Sequence, residues 1–353
     1  MTHRAKANGR LADRLSRRRW LAVGASAVCA GILGNARPAA AAEAARKAAE
    51  AALQERSQQN RSPQSQAEGT PKEGSLPWID AHAHVWSDDV ARWPLAGQQT
   101  VADLKPRQFL PEALLELARQ EGVGRVVLIQ HSVYHLWDNR YLIDCTRRFP
   151  GRFAVLGMVD DRQPQAAEKL RSLHEQGVRG LRITPRIHGP RWLEGEGMAS
   201  LWQTAAQTGQ VMGCLIDPEH LPQLDAMCQR FPQTRVVIDH MARLGADGTI
   251  RPADVEQLCR LARHRHVAVK ISAFYALGKK QPPYDDLLPL IRRVLDAFGP
   301  ARCMWASDAP YQVQPPHTYA ASISLIRDRL EGLSAGDRQW LLARTAEEFF
   351  FTA

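Results

Sequence analysis

Short apolar runs recur eight times between residues 78 and 310: WIDAHAHVW, GRVVLIQ, FAVLGMVD, VRGLRIT, VMGCLID, RVVIDHM, VAVKISAF and CMWASDAP. Their length and continuity are those of buried strands. Between most of them lie segments of helical period, among them PEALLELARQEG, AAEKLRSLHEQG, PADVEQLCRLARH and DDLLPLIRRVLDAFG. Several end in Gly, the residue that closes a helix most readily because it takes positive φ without steric cost. Eight strands alternating with helices over roughly 275 residues predict an α/β fold, a (β/α)8 TIM-type barrel. The alternative is a doubly wound sheet, which the absence of a G-x-G-x-x-G after the first run does not support. No repeat with the period of a solenoid or propeller is present.

Ahead of the first run the pattern changes. The whole chain of 353 residues carries a formal charge of +9, but residues 1–42 hold eight Lys or Arg and one Asp and so contribute +7. The remaining +2 offers no basic footprint for phosphate backbones, and a nucleic-acid partner is not expected. Residues 1–42 read as a signal peptide: Arg17 and Arg18, then a weakly apolar stretch from Trp20 to Leu33, then small residues around Ala39 to Ala42. The segment resembles the twin-arginine export signal of bacteria, with Ser16, Arg17, Arg18, Trp20 and Leu21 on the motif and Trp20 where Phe is usual. It implies the twin-arginine translocase as a partner during export and a periplasmic or otherwise exported destination; an uncleaved signal would leave a membrane anchor. Cys29 follows Val28, a poor lipoprotein site. Residues 43–76, rich in Ala, Gln, Glu, Ser and Pro, read as a disordered linker. The folded domain is expected over residues 77–353. The composition, 44% hydrophobic and 24% charged, is that of a soluble globular protein able to bury a core. Beyond the signal, Cys145, Cys214, Cys228, Cys259 and Cys303 form no C-x-x-C pair and read as small core residues.

Reacting groups in such barrels gather at the C-terminal ends of the strands. The runs end in Asp80, His82 and His84 (first), His131 (second), Arg182 (fourth), Asp239 and His240 (sixth), Lys270 and Ser272 (seventh), and Ser307 and Asp308 (eighth). Side chains alternate along a strand, so His82 and His84 share a face and deliver two imidazoles to one place.

This constellation resembles the amidohydrolase superfamily, and within it the branch of 2-pyrone-4,6-dicarboxylate and sugar-acid lactonases. His82 and His84 fall on the family's first-strand H-x-H, His240 on its sixth-strand His in VIDHM, and Asp308 on its eighth-strand Asp in WASDAP; DNRYLIDCTRRFPGRFAVLGMVD, DPEHLPQL and VKISAF agree more loosely. The resemblance implies a distorted (β/α)8 barrel and a hydrolase. The fourth-strand Lys or Glu and fifth-strand His that commonly complete metal sites are absent; Arg182–Thr184 and Ile216–Asp217 stand there. His82, His84 and Asp308 can hold a single divalent metal such as zinc. A site requiring no cofactor is expected over that, and a binuclear centre is not expected.

Lactone hydrolysis needs a base for the attacking water, donors for the carbonyl oxygen and a proton for the leaving alkoxide. Asp308 is the candidate base and then acid, with His82, His84 and His240 as donors around the carbonyl. Arg182, Lys270, Tyr275 and His131 are the candidate substrate-binding residues, Arg182 as a bidentate anchor for an acidic substrate. Each has a structural alternative: Arg182 and Lys270 as halves of ion pairs, His131 as an ordinary loop histidine, Tyr275 as a cap on the rim. The alternative functions are a metal-dependent decarboxylase or amide hydrolase of the same superfamily, or a non-catalytic barrel binding a small acid.

Overall fold

The computed structural model describes residues 77–352; the signal-type segment 1–42 and the linker lie outside the described residues. Eight strands follow one another in the order of the chain around one sheet: β1 (Trp78–Ala83), β2 (Val123–Ile129), β3 (Phe153–Gly157), β4 (Val178–Ile183), β5 (Val211–Cys214), β6 (Arg235–Ile238), β7 (Val267–Ile271) and β8 (Cys303–Trp305). All seven neighbouring ladders are parallel. The ring closes at the β1–β8 seam through a bridge between Ala83 and Ala309, with the Asp308 amide donating to His82 O at 2.8 Å and the His84 amide to Ala309 O at 2.8 Å. The result is the distorted (β/α)8 barrel expected; the distortion sits in three-residue β8 and in two register shifts between β1 and β2.

The helical segments form where their period places them. Pro111–Gln120 and Pro252–Arg260 start on a proline, whose missing N–H would be unpaired there in any case. Leu288–Phe298 buries Leu290, Ile291, Val294, Leu295 and Phe298, the one-sided spacing of a helix lying on a sheet. Each such side chain contributes about 1.5–3 kcal/mol by leaving water. Gly299 ends that helix at φ 75°, and its N–H closes onto Leu295 O.

The core has two layers. The larger lies between strands and helices. The smaller fills the barrel interior, where Ile79, Val127, Leu156, Val237 and Met304 meet Phe350 from the C-terminal helix Thr345–Phe350. That helix seals the N-terminal end of the barrel, leaving the opposite end for chemistry. All five cysteines of the domain are buried and free. Among the described residues no helix is long and apolar enough to cross a membrane.

Candidate active site

His82 lies within β1 and His84 just beyond it, and the alternation of the strand turns both toward the barrel axis. The other two groups are aimed by strained backbone. Asp308 has φ 64°, and His240, Met241, Ala242 and Arg243 form a left-handed turn with φ of 54°, 50°, 53° and 55°. Without glycine this conformation costs about 1–2 kcal/mol per residue, and such strain concentrates at sites where the surrounding fold enforces a geometry. Here the turn brings both His240 and Arg243 to the same pocket.

The four groups converge. Asp308 Oδ1 lies 3.4 Å from His82 Nε2 and 3.3 Å from His84 Nε2, and those two nitrogens are 3.3 Å apart. His240 Nε2 is 3.8 Å from Asp308 Oδ2, while its Nδ1 meets Ser272 Oγ at 2.8 Å. Tyr275 donates its hydroxyl to Asp308 Oδ2 at 2.7 Å. Burial alone would raise the Asp308 carboxyl, but His240, His84 and His82 outweigh it and hold the group ionised, well below the usual carboxylate range. Burial lowers His240 despite the nearby Asp308 and Asp239.

The residues present fit a single divalent ion. A tetrahedral site with nitrogen and oxygen ligands at about 2.0–2.1 Å has ligand–ligand edges of about 3.3–3.4 Å, which are the separations of His82 Nε2, His84 Nε2 and Asp308 Oδ1. His84 also fits chemically: its Nδ1 donates to Ile129 O at 2.8 Å, leaving a lone pair on Nε2. A second set, His82, Asp239 and His240, also comes within 4.8 Å, but Lys270 Nζ already neutralises Asp239 at 3.0 Å.

The mouth opens into a pocket of about 230 Å³ bordered by Asp308, His84 and His240. Two larger clefts of about 450 and 420 Å³ flank Trp137, but neither borders a residue of this cluster. Arg182 lines the pocket, 6% exposed, with NH1 3.4 Å from His84 Nε2. Among the described residues no carboxylate pairs with it, so the structural alternative for Arg182 falls away. His131 also lines the pocket: it stacks on Tyr134 at 4.0 Å, its Nδ1 accepts from the Tyr134 amide, and its Nε2 therefore donates to Tyr311 Oη at 2.7 Å. Burial pushes it well below the usual imidazole range, keeping it neutral. Tyr275 forms part of the wall rather than a distant rim.

Lys270 requires a correction. As a substrate contact it should reach the pocket, yet it has no exposed surface and its Nζ is paired with Asp239 behind His82. His82 is likewise fully buried and faces the cluster rather than the pocket. Among the pocket residues that the sequence reading did not name, Arg186, Arg243 and Tyr311 bring functional side chains. Their one signal is position, each within five residues after a strand end or a named site residue.

A parallel barrel that pools imidazoles from two strands and a carboxylate from a third at its C-terminal mouth has its reacting groups where barrel enzymes carry them. The chain is a member of the amidohydrolase family, whose model matches residues 79–352. It is 32% identical over 239 residues to an L-fucono-1,5-lactonase of Burkholderia ambifaria, covering 66% of this chain and 80% of that protein. It is 25% identical over 240 residues to a 4-sulfomuconolactone hydrolase of Hydrogenophaga intermedia, covering 66% and 74%. A crystal structure of a Burkholderia multivorans amidohydrolase with bound zinc superposes with a TM-score of 0.65 at 25% identity, covering 78% of this chain and 99% of that one. The chain is thus a hydrolase of the amidohydrolase superfamily, related to its lactonase branch, with a ligand set able to take a divalent metal.

Proposed function

We propose that this protein is an exported lactonase that opens a lactone or related ester of a small acidic or sugar-derived compound. The observation that carries this reading is Asp308, an ionised carboxylate at a pocket whose wall also holds the unpaired guanidinium of Arg182. An unpaired buried cation is costly unless a ligand supplies the counter-charge, so the pocket favours an anionic substrate. Arg186 adds a second guanidinium group to the same wall, whereas Arg243, also there, is paired with Asp217 at 2.8 Å. Two relatives are lactone hydrolases by name, one of them for a sulfonated lactone, which supports the same substrate class.

In this reading Asp308 takes a proton from water as its oxygen attacks the carbonyl carbon. His240 and Arg182 donate toward the carbonyl oxygen as it gains charge. The ring C–O bond then breaks, and the leaving alkoxide takes the proton back from Asp308, giving a hydroxy acid that ionises in solvent. His82 and His84 orient Asp308 from behind. A divalent ion, when bound, would be held by His82, His84 and Asp308 and would supply charge to polarise the carbonyl.

The reading extends to organisation: residues 1–42 as a twin-arginine address, 43–76 as a tether and 77–353 as the catalytic barrel. Arg17→Lys with Arg18→Lys is expected to strand the protein in the cytoplasm; unchanged export in a host lacking that translocase overturns the localisation. The activity is tested by a panel of sugar-acid lactones and of lactones bearing carboxylate or sulfonate groups. At least one should turn over, with Asp308→Asn slower by about 10²–10⁴. No turnover anywhere on the panel, or a variant at wild-type speed, refutes the assignment.

A further inference from the structure

The segment after β4 carries Arg186 to the pocket, and the turn it makes is too short to hold itself there. Pro185–His188 is a single helical turn, closed by the Ile187 and His188 amides on Thr184 O at 3.1 and 3.0 Å and by the Gly189 amide on Pro185 O at 2.8 Å. One turn fixes several dihedrals for few hydrogen bonds and is not stable alone. Arg186 is exposed, and among the described residues no carboxylate pairs with it.

His188 docks the turn. Only 1% of its side chain reaches solvent, and its Nδ1 donates to Asp161 Oδ1 at 2.6 Å. The half-buried Trp137 packs against it, 5.5 Å between ring centroids. Asp161 comes from the loop after β3 and is fixed in its turn: Gly197, at the start of the helix Glu196–Thr208, lies so close to Asp161 O that no Cβ fits between them. Neither Asp161 nor His188 borders the pocket, and the proposed reaction uses neither.

Helical geometry couples the two side chains of the turn. Successive residues advance about 100° around the axis, so residues two apart point about 200° apart. With His188 turned onto Asp161, Arg186 faces the opposite way, and that side is the pocket. We infer that Asp161 and His188 are positioning residues for Arg186: their contact sets where its guanidinium stands and, through it, the affinity for the anionic part of the substrate, while neither touches substrate. This role presupposes the anionic substrate proposed above. A merely structural pair would lower stability and affect every substrate alike. A pair that works through Arg186 affects charged substrates alone, and only while Arg186 is present.

The test uses the full-length chain as wild type, Asp161→Ala, Asp161→Asn, Arg186→Met and the double variant Asp161→Ala with Arg186→Met. For an anionic lactone, Asp161→Ala should raise KM by about 3–10-fold, part of the worth of a hydrogen bond to a charged group, with kcat unchanged and a neutral lactone unaffected. Asp161→Asn keeps an acceptor for His188 and should return KM to within about 2-fold of wild type. In the Arg186→Met background Asp161→Ala should add nothing, because residues acting as one unit are not additive. Two readouts need no turnover. Amide exchange at Ile187, His188 and Gly189 should be at least about tenfold faster in Asp161→Ala, and calorimetric titration with citrate, a small carboxylate, should show the same loss of affinity as the KM series. A folded Asp161→Ala with unchanged KM and citrate affinity overturns the inference; so does an equal further loss in the Arg186→Met background, or an equal effect on the neutral lactone. Should Asp161→Ala not fold, His188→Leu, which fills the space without donating, takes its place under the same expectations. No turnover of any lactone with the citrate difference intact overturns the lactonase reading and leaves the positioning role standing.

Discussion

Asp80 and Asp308 stand on the two sides of the β1–β8 seam that closes the barrel, and both are buried. Around Asp80 every partner is neutral: the Ser307 amide at 2.8 Å, the Ser307 hydroxyl at 2.5 Å, the His82 amide at 3.1 Å and the Tyr319 hydroxyl at 2.9 Å. Around Asp308 stand three imidazoles, and the Arg182 guanidinium opens onto the same pocket. Burial raises both carboxyls. Four neutral donors offset it incompletely, and Asp80 rises to about 6; the imidazoles reverse it, and Asp308 falls. Two aspartates at neighbouring strand ends thus differ through the kind of groups around them, hydroxyls and amides against imidazoles, and their access to the pocket. One holds the ring shut, and the other is available for proton transfer.

The largest expected effect separates the two by substitution. Asp308→Asn should lose turnover by about 10²–10⁴ with little change in urea unfolding, since shape is preserved. Asp80→Ala should do the reverse: four buried donors lose their acceptor, which costs about 3 kcal/mol of stability, while the folded fraction keeps far more activity than Asp308→Asn. Equal loss of turnover in both, measured on protein shown to be folded, would erase the distinction.

A pH series sharpens it. The Asp80 carboxyl is raised in the fold from 3.8 to about 6, so the native state favours the protonated form. Its contribution to stability is fully present below about pH 4 and is lost as pH rises through about 6, by about 3 kcal/mol in all. Asp80→Asn can accept both amides on its carbonyl and donate to both hydroxyls, and it has no proton to lose. The difference in unfolding free energy between wild type and Asp80→Asn should move by about 3 kcal/mol in the variant's favour between pH 4 and pH 7. A pH-independent difference would mean that Asp80 stays ionised throughout.

What the sequence makes legible follows the same division between strand and neighbourhood. The eight runs, the H-x-H and the SDAP turn are local: alternation and strand-end position suffice to place His82, His84 and Asp308 together. The partner of Lys270 is not local. The β6–β7 ladder pairs Val237 with Ala268 and Ile238 with Val269, which brings Asp239 level with Lys270, and that register cannot be read from either run alone. Nor could the left-handed turn at residues 240–243, which has no glycine to announce it and which tertiary packing imposes against local preference. Arg243 reaches the pocket through that turn.

The arginines repeat the lesson at the pocket wall. Arg243 is already paired with Asp217 at 2.8 Å, whereas Arg182 has no carboxylate partner among the described residues. Arg182→Met should raise KM for an anionic lactone by about 10–100-fold, the worth of a hydrogen bond to a charged group, and leave a neutral lactone nearly unaffected. Arg243→Met should have the smaller effect, because its charge is offset before substrate arrives. Equal effects on both lactones would show that Arg182 does not read substrate charge.

The smallest expected effect concerns Tyr275, whose hydroxyl donates to Asp308 Oδ2 at 2.7 Å. If the imidazoles set the state of Asp308, this neutral bond only orients an oxygen that the histidines already hold ionised. Tyr275→Phe removes the bond but keeps the ring beside Tyr311, 6.2 Å between centroids, so the wall survives. A neutral hydrogen bond is worth about 0.5–1.5 kcal/mol, and kcat should fall by about 3–10-fold with KM little changed. A rise in kcat would instead mean that the hydroxyl occupies the lone pair the attacking water needs. A collapse to the level of Asp308→Asn would break the contrast with Asp80, because a single hydroxyl donor would then matter to Asp308 as much as the imidazoles do.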